Sequence, residues 1–394
     1  MKHFSYLGDK SREEIFFLAP QEISVTAEKE TLGMALGASL YMPATRSNIA
    51  ADIISGKIKG LCTIMICLED AIGDRELPEA NKSFVREMEI IFRALAEGKI
   101  RREELPFISV RIRNPQHLRE LFAELGEAKE VLGGVVFPKF TPENAPSYFA
   151  ELDRINEERN HKLYALPILE SKEIIHLEQR RASLDRLAEI LDKHREKVLN
   201  LRIGATDFSA LFGIRRNYDI TIYDVGVVAG CISDIVNYFS RSERDYIISG
   251  PVFEYFSSGE KILKPLLRET PFRRTADKEG QNFRSRLIAR HVDTLAREVI
   301  MDRANGLWGK TVIHPSHIIP VESLYVVSHE DYLDAQNIVG EQDGVKGVAA
   351  SSYKSRMNEF KPHYNWASKV LRQAEIFGVF REDKSFSDLL LHEE

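Results

Sequence analysis

Two apolar runs in this chain each end in a carboxylate: Leu163-Tyr-Ala-Leu-Pro-Ile-Leu-Glu170 and Leu201-Arg-Ile-Gly-Ala-Thr-Asp207. Each run reads as a buried parallel strand, and α/β folds bind ligands at the C-terminal ends of such strands. Carboxylates clustered with few His or Cys residues favour Mg²⁺, or Mn²⁺, over zinc. Mg²⁺ keeps water and substrate oxygens beside one or two protein carboxylates, so Glu170 and Asp207 suffice as metal ligands. The competing reading is a plain salt bridge from these acids to Arg46 or Arg111.

Other runs end in residues that complete such a site. Leu40-Tyr-Met-Pro-Ala-Thr-Arg46 brings an arginine that can clamp a carboxylate or stabilise an oxyanion, or else make a structural ion pair. Ile66-Cys-Leu-Glu69-Asp70 ends in adjacent acids, suited to orienting an arginine or metal-bound water, or to capping a helix. Phe107-Ile-Ser-Val-Arg111-Ile-Arg113 puts two arginines on one side of a strand, and a bend at its end would leave only one in the pocket. Gly133-Gly-Val-Val-Phe-Pro-Lys139 adds a lysine. His314, in Lys310-Thr-Val-Ile-His314-Pro315, is read as a structural histidine packing the strand end.

These residues need a scaffold that aligns many strand ends. Candidate strands fall at 37–42, 61–68, 107–112, 134–137, 163–169, 201–205, 246–252 and 310–313, with amphipathic helical stretches at 81–96, 116–125, 145–160, 181–196, 223–240 and 283–303. The alternation implies right-handed βαβ units, hence an α/β fold, a TIM (β/α)₈ barrel. Residues 253–282 read as an insertion over the catalytic face after the seventh strand. The expected division is an N-terminal segment 1–32, a barrel 33–320, and a helical extension 321–394 for oligomerisation and active-site capping.

The 394 residues can bury a large core, and 43% hydrophobic residues suit a globular enzyme. A formal charge of −6 creates no general attraction to nucleic acid or membrane surfaces. Cys62, Cys67 and Cys231 form no CxxC pair, consistent with reduced thiols in a cytoplasmic protein. There is no signal-peptide pattern, and no apolar run approaches the roughly 20 residues of a membrane span.

In order, the motifs Tyr-Met-Pro-Ala-Thr-Arg, Leu-Glu-Asp-Ala, Val-Arg-Ile-Arg-Asn-Pro, Phe-Pro-Lys, Ile-Leu-Glu-Ser, Gly-Ala-Thr-Asp-Phe and Gly-Lys-Thr-Val-Ile-His-Pro resemble the citrate lyase β-subunit-like (HpcH/HpaI aldolase) family over residues 40–318. The resemblance implies a Mg²⁺-binding TIM barrel that makes or breaks carbon–carbon bonds in 2-oxo acids or acyl thioesters, coenzyme A esters included. It implies Glu170 and Asp207 as metal ligands, Arg46 and Arg111 on substrate oxygens, and Glu69, Asp70 and Lys139 around the substrate. It also implies a homo-oligomer, a trimer or hexamer.

The chain departs from the family pattern in places. Ser171 follows Glu170 where relatives have threonine, Thr206 stands for glutamate, and Glu170 and Asp207 are 37 residues apart, longer than in typical relatives. Relatives that act on thioesters take a catalytic aspartate from a neighbouring subunit's C-terminal segment. The comparable stretch, 357–367, has no aspartate, and Glu359 or His363 is expected to substitute as the base. That stretch also resembles a divergent subgroup found with tellurite-resistance and stress genes. The leading expectation is a Mg²⁺-dependent C–C lyase or aldolase. Its rivals are phosphoryl chemistry on a phosphoenolpyruvate-like substrate, and a non-catalytic barrel subunit of a stress-associated pathway.

Overall fold

A computed structural model describes residues 1–24, 27–256, 292–341 and 347–391. The strands, numbered along the chain, begin with Phe16–Leu18 (β1), which lies outside the barrel. The barrel comprises Ala38–Pro43 (β2), Thr63–Cys67 (β3), Phe107–Arg111 (β4), Gly134–Phe137 (β5), Tyr164–Leu169 (β6), Leu201–Ile203 (β7), Ile248–Ser249 (β8) and Lys310–Val312 (β9). These eight pair in parallel in the order β8-β7-β6-β5-β4-β3-β2-β9. Two hydrogen bonds bring the ends of that order together: Gly250 N–H donates to the Gly309 carbonyl at 3.0 Å, and Thr311 N–H to the Gly250 carbonyl at 3.1 Å. The (β/α)₈ barrel expected from the alternating pattern is therefore the fold.

Strands β3, β4 and β5 are buried along their whole length, which is why their sequences run apolar instead of alternating. The helices bury one stripe each. In Leu77–Ala96 the stripe is Ala80, Phe84, Met88 and Ile91, spaced three or four apart so that they share one side of the helix.

The expected strand 201–205 stops at Ile203, because Gly204 turns the chain into the short helix Ala205–Ala210. The expected insertion after the seventh barrel strand is described only to residue 256, and 257–282 lie outside the described residues, as do 283–291 of the helix expected at 283–303. The expected boundary at 320 falls within the helix Ile318–Ser323. The C-terminal extension is not wholly helical. Val348–Ala350 (β10) and Met357–Glu359 (β11) form an antiparallel pair, and Val379–Phe380 (β12) pairs with β1. Both ends of the chain thus meet in one small ribbon, through Phe16 opposite Phe380.

Candidate active site

At the C-terminal rim of the barrel, consecutive strands deliver charged groups to one place. Glu69 and Asp70 follow β3, Arg111 ends β4, Lys139 follows β5 and Glu170 follows β6. Arg111 Nη2 lies 2.7 Å from Glu69, 2.8 Å from Asp70 and 3.3 Å from Glu170. The Lys139 ammonium pairs with Glu69 and, at 3.0 Å, with Asp70. One guanidinium nitrogen on a nearly buried side chain thus meets three carboxylates.

Lys139 contributes its backbone as well. Its N–H donates to Glu170 Oε1 at 2.7 Å. Its φ is +47°, in the left-handed region that non-glycine residues seldom occupy. Asn144 holds the turn: its Nδ2 donates to the Lys139 carbonyl at 2.8 Å, and its Oδ1 accepts the Thr141 N–H at 2.9 Å.

Glu170 is 4% exposed. Burial pushes its carboxyl up to about 8, Arg111 pulls it back, and the nearby charge of Asp207 pushes it further up. Burial likewise raises Glu69. Burial acts on Asp70 in the same direction, but its hydrogen bond with Glu69 and the charges of Arg111 and Lys139 win and hold it low. Asp207 sits in the first turn of Ala205–Ala210. Gly204 N–H donates to the Leu169 carbonyl at 3.0 Å, and this bond sets the ends of β6 and β7, and so Glu170 and Asp207, side by side.

Three carboxylates (Glu69, Asp70, Glu170) gather around two cations (Arg111, Lys139), and a fourth, Asp207, lies close to Glu170. Among the described residues these acids outnumber the cations that pair with them, and the all-oxygen donor set of Glu170 and Asp207 suits Mg²⁺. The residues present fit such an ion.

The remaining sequence candidates make other contacts. Arg46 is held by Asp52 at 2.6 Å, a carboxylate that also takes Lys57 at 3.1 Å, so its guanidinium does not join the cluster. Arg113, the second arginine of its strand, turns away and straps the loop after β3 through the Leu68 and Ile72 carbonyls and Asp74. His314 takes a structural part: its Nδ1 accepts the Ser316 N–H at 3.3 Å, and its ring stacks on Phe256. Glu359 and His363 contact each other, the Glu359 N–H donating to His363 Nδ1 at 3.1 Å. The helix Phe360–Phe377 lies at the opposite end of the barrel, with Lys369 on Asp245 ahead of β8 and Gln373 on the Tyr325 carbonyl. A base from either residue would have to reach the rim of another subunit.

Sequence reasoning passed over Asn144, Gly204 and Arg202. Arg202 is 2% exposed inside the barrel. Its guanidinium bonds Thr311 Oγ1 and lies 5.9 Å from the Tyr41 ring centroid. Burial depresses Arg202 and raises the Tyr41 hydroxyl, which Arg202 and Arg111 partly offset. The available signal was a charged residue in the middle of an otherwise apolar strand.

A protein-family model described as C-C_Bond_Lyase of the TIM-Barrel fold matches residues 30–379. The chain belongs to this family. The citrate lyase-like resemblance in its motifs is thereby supported, and this C–C bond lyase is an enzyme of carbon–carbon bond chemistry. Its fold is similar to that of CitE from Mycobacterium tuberculosis in complex with magnesium, acetoacetate and coenzyme A, at 18% identity and a TM-score of 0.49, over 86% of this chain and 99% of that one. RipC from Yersinia pestis is also similar, at 17% identity and a TM-score of 0.44, over 74% of this chain and 95% of that one. No curated protein sequence matches the lyase at a significant level. Among the described residues, no helix is long and apolar enough to cross a membrane.

Proposed function

We propose that this lyase is Mg²⁺-dependent and cleaves or forms a carbon–carbon bond in a 2-oxo acid or an acyl thioester, with Glu170 and Asp207 holding the metal. The observation that carries the reading is a buried glutamate, Glu170, close enough to Asp207 for the two carboxylates to repel, beside the Glu69 and Asp70 acids that pair with Arg111. A bound divalent ion would polarise the substrate carbonyl as a Lewis acid.

The protein supplies the rest. Arg111, already fixed by three carboxylates, presents a guanidinium where charge develops on the substrate oxygen. Glu69 and Asp70 hold that guanidinium and the Lys139 ammonium in place, and the Lys139 N–H fixes the Glu170 rotamer. Arg46, committed to Asp52 at the rim, is assigned a binding role on an outer substrate carboxylate. Proton transfer is assigned to Glu359 or His363 of a neighbouring subunit in a homo-oligomer, a trimer or hexamer.

Calorimetric Mg²⁺ titration of the wild type and of Asp207→Asn, followed by cleavage assays on 2-oxo acids and coenzyme A thioesters, tests the assignment. Wild-type binding that is lost in Asp207→Asn, together with Mg²⁺-dependent cleavage, is expected. Equal Mg²⁺ affinity in the two proteins removes the metal assignment.

A further inference from the structure

At the barrel floor, opposite the rim, three residues distant in sequence converge. His3 comes from the chain start, Cys62 immediately precedes β3, and Glu322 lies on the helix Ile318–Ser323. Their ligand atoms (an imidazole nitrogen, a thiol sulfur and a carboxylate oxygen) all lie within 4.8 Å of one another, and all three residues are buried.

Two features distinguish this cluster from an ordinary buried ion pair. His3 Nδ1 is 3.2 Å from Glu322 Oε1, yet neither Nδ1 nor either Glu322 oxygen has an aligned hydrogen-bond partner among the described residues. A fully buried carboxylate left that way is costly, so the polar atoms aimed at the gap need a partner. Meanwhile the other ring nitrogen, Nε2, is 3.0 Å from the Ala35 carbonyl, an acceptor, so Nε2 carries a proton and Nδ1 is the nitrogen that faces Cys62 and Glu322. A carbonyl holding the second nitrogen is the usual support of a metal-ligating histidine.

We propose that His3 Nδ1, Cys62 Sγ and the Glu322 carboxylate bind a structural Zn²⁺ ion. A tetrahedral ion bound by nitrogen and oxygen at ordinary zinc distances puts those two atoms about 3.3 Å apart, close to the 3.2 Å found between His3 and Glu322. A thiolate selects zinc over the hard cations expected at the rim. Binding releases the Cys62 thiol proton, and thiolate, carboxylate and Zn²⁺ then sum to a neutral centre suited to a dry interior. Space is kept for it at Gly37, where a Cβ would stand 3.0 Å from the His3 ring and 3.4 Å from Glu322 Oε1, at a φ of +50°. The ion would tie the N-terminal segment, the entry to β3 and the helix Ile318–Ser323 into one unit.

The test is metal analysis of untagged protein purified without chelators. A single zinc ion per chain is expected, lost in Cys62→Ala and in His3→Gln but kept in Asp207→Asn, which alters only the rim. Protein produced in zinc-depleted, cobalt-supplemented medium should show a thiolate-to-cobalt charge-transfer band, a readout that stands even where the variants fail to fold. Wild-type protein that stays free of zinc after dialysis against excess Zn²⁺, zinc retained in Cys62→Ala, or cobalt protein without the band would each overturn the proposal and leave a metal-free His3–Glu322 pair.

Discussion

A Cβ added to Gly204 would stand 2.3 Å from Oε2 of Glu170 and 2.4 Å from its Cβ. The glycine is therefore set by packing against the proposed metal ligand. Its φ of −89° is open to any residue, so backbone freedom is not the reason. Because one contact is to the Glu170 Cβ, rotation of a flexible side-chain end cannot relieve the clash.

Gly204→Ala should displace Glu170 and lower Mg²⁺ affinity by roughly ten- to a hundredfold, the scale of losses when a ligand's support is disturbed. Overpacking should also cost about 1–3 kcal/mol of stability. Calorimetry with Mg²⁺ and a thermal melt measure the two effects separately. Wild-type affinity in this variant would show that Glu170 is not a ligand.

Arg111→Met leaves Glu69, Asp70 and Glu170 without their shared cation. The expected fall in kcat is roughly a hundred- to a thousandfold, as for loss of an oxyanion-stabilising donor. Arg111→Lys should recover little, because the shorter lysine ends in a compact ammonium that cannot reproduce the reach and planar charge of the guanidinium. Steady-state kinetics on the best substrate decides, and full rescue by lysine would argue for a point-charge role.

His117 makes part of the stability pH-dependent. Its Nδ1 accepts the Arg113 N–H at 3.1 Å, so the proton sits on Nε2, 3.1 Å from Asn81 Oδ1. Burial, then the Arg113 charge, holds its pKa below the usual value. As pH falls, the unfolded chain takes up the proton first, below about 6.5, so this contribution is complete above that pH and declines on acidification. Urea unfolding at about pH 7.5 and about pH 5.5 should show a smaller loss in His117→Gln than in the wild type.

Lys310 lies at the start of β9, 2.9 Å from Glu298 and 2.7 Å from Asp302, and all three side chains are fully buried. Burial drives the Asp302 carboxyl upward, and the Lys310 charge opposes it. Lys310→Met should cost about 3–5 kcal/mol, since it strands buried carboxylates without their cation. Denaturant titration measures the loss. Tyr223 and Arg216, which bond Asp302 and Glu298, stay in place and keep the estimate short of complete unfolding.

The barrel and the rim acids were readable from the sequence because barrel strands are buried on both faces. In a strand such as β4 the buried positions before the end carry no charge, so the first charged residue, Arg111, marks that end and hence the rim. The same rule placed Glu69, Lys139 and Glu170 before any coordinates. Arg46 obeyed the same rule, but strand position says nothing about which carboxylate a flexible guanidinium meets, and here it pairs with Asp52, six residues along.

The amino-acid order by itself determined which segments form the barrel strands and which charge follows most of them, while strand ends such as those of β7 and β8 came out shorter than expected. Only the tertiary structure decided which of those charges meet, that Gly204 leaves room for Glu170, and that His3, Cys62 and Glu322 share one buried point. Periodicity records a residue's position within its own element, whereas contacts among residues 3, 62 and 322 depend on how elements far apart in the chain pack, and that packing leaves no local trace.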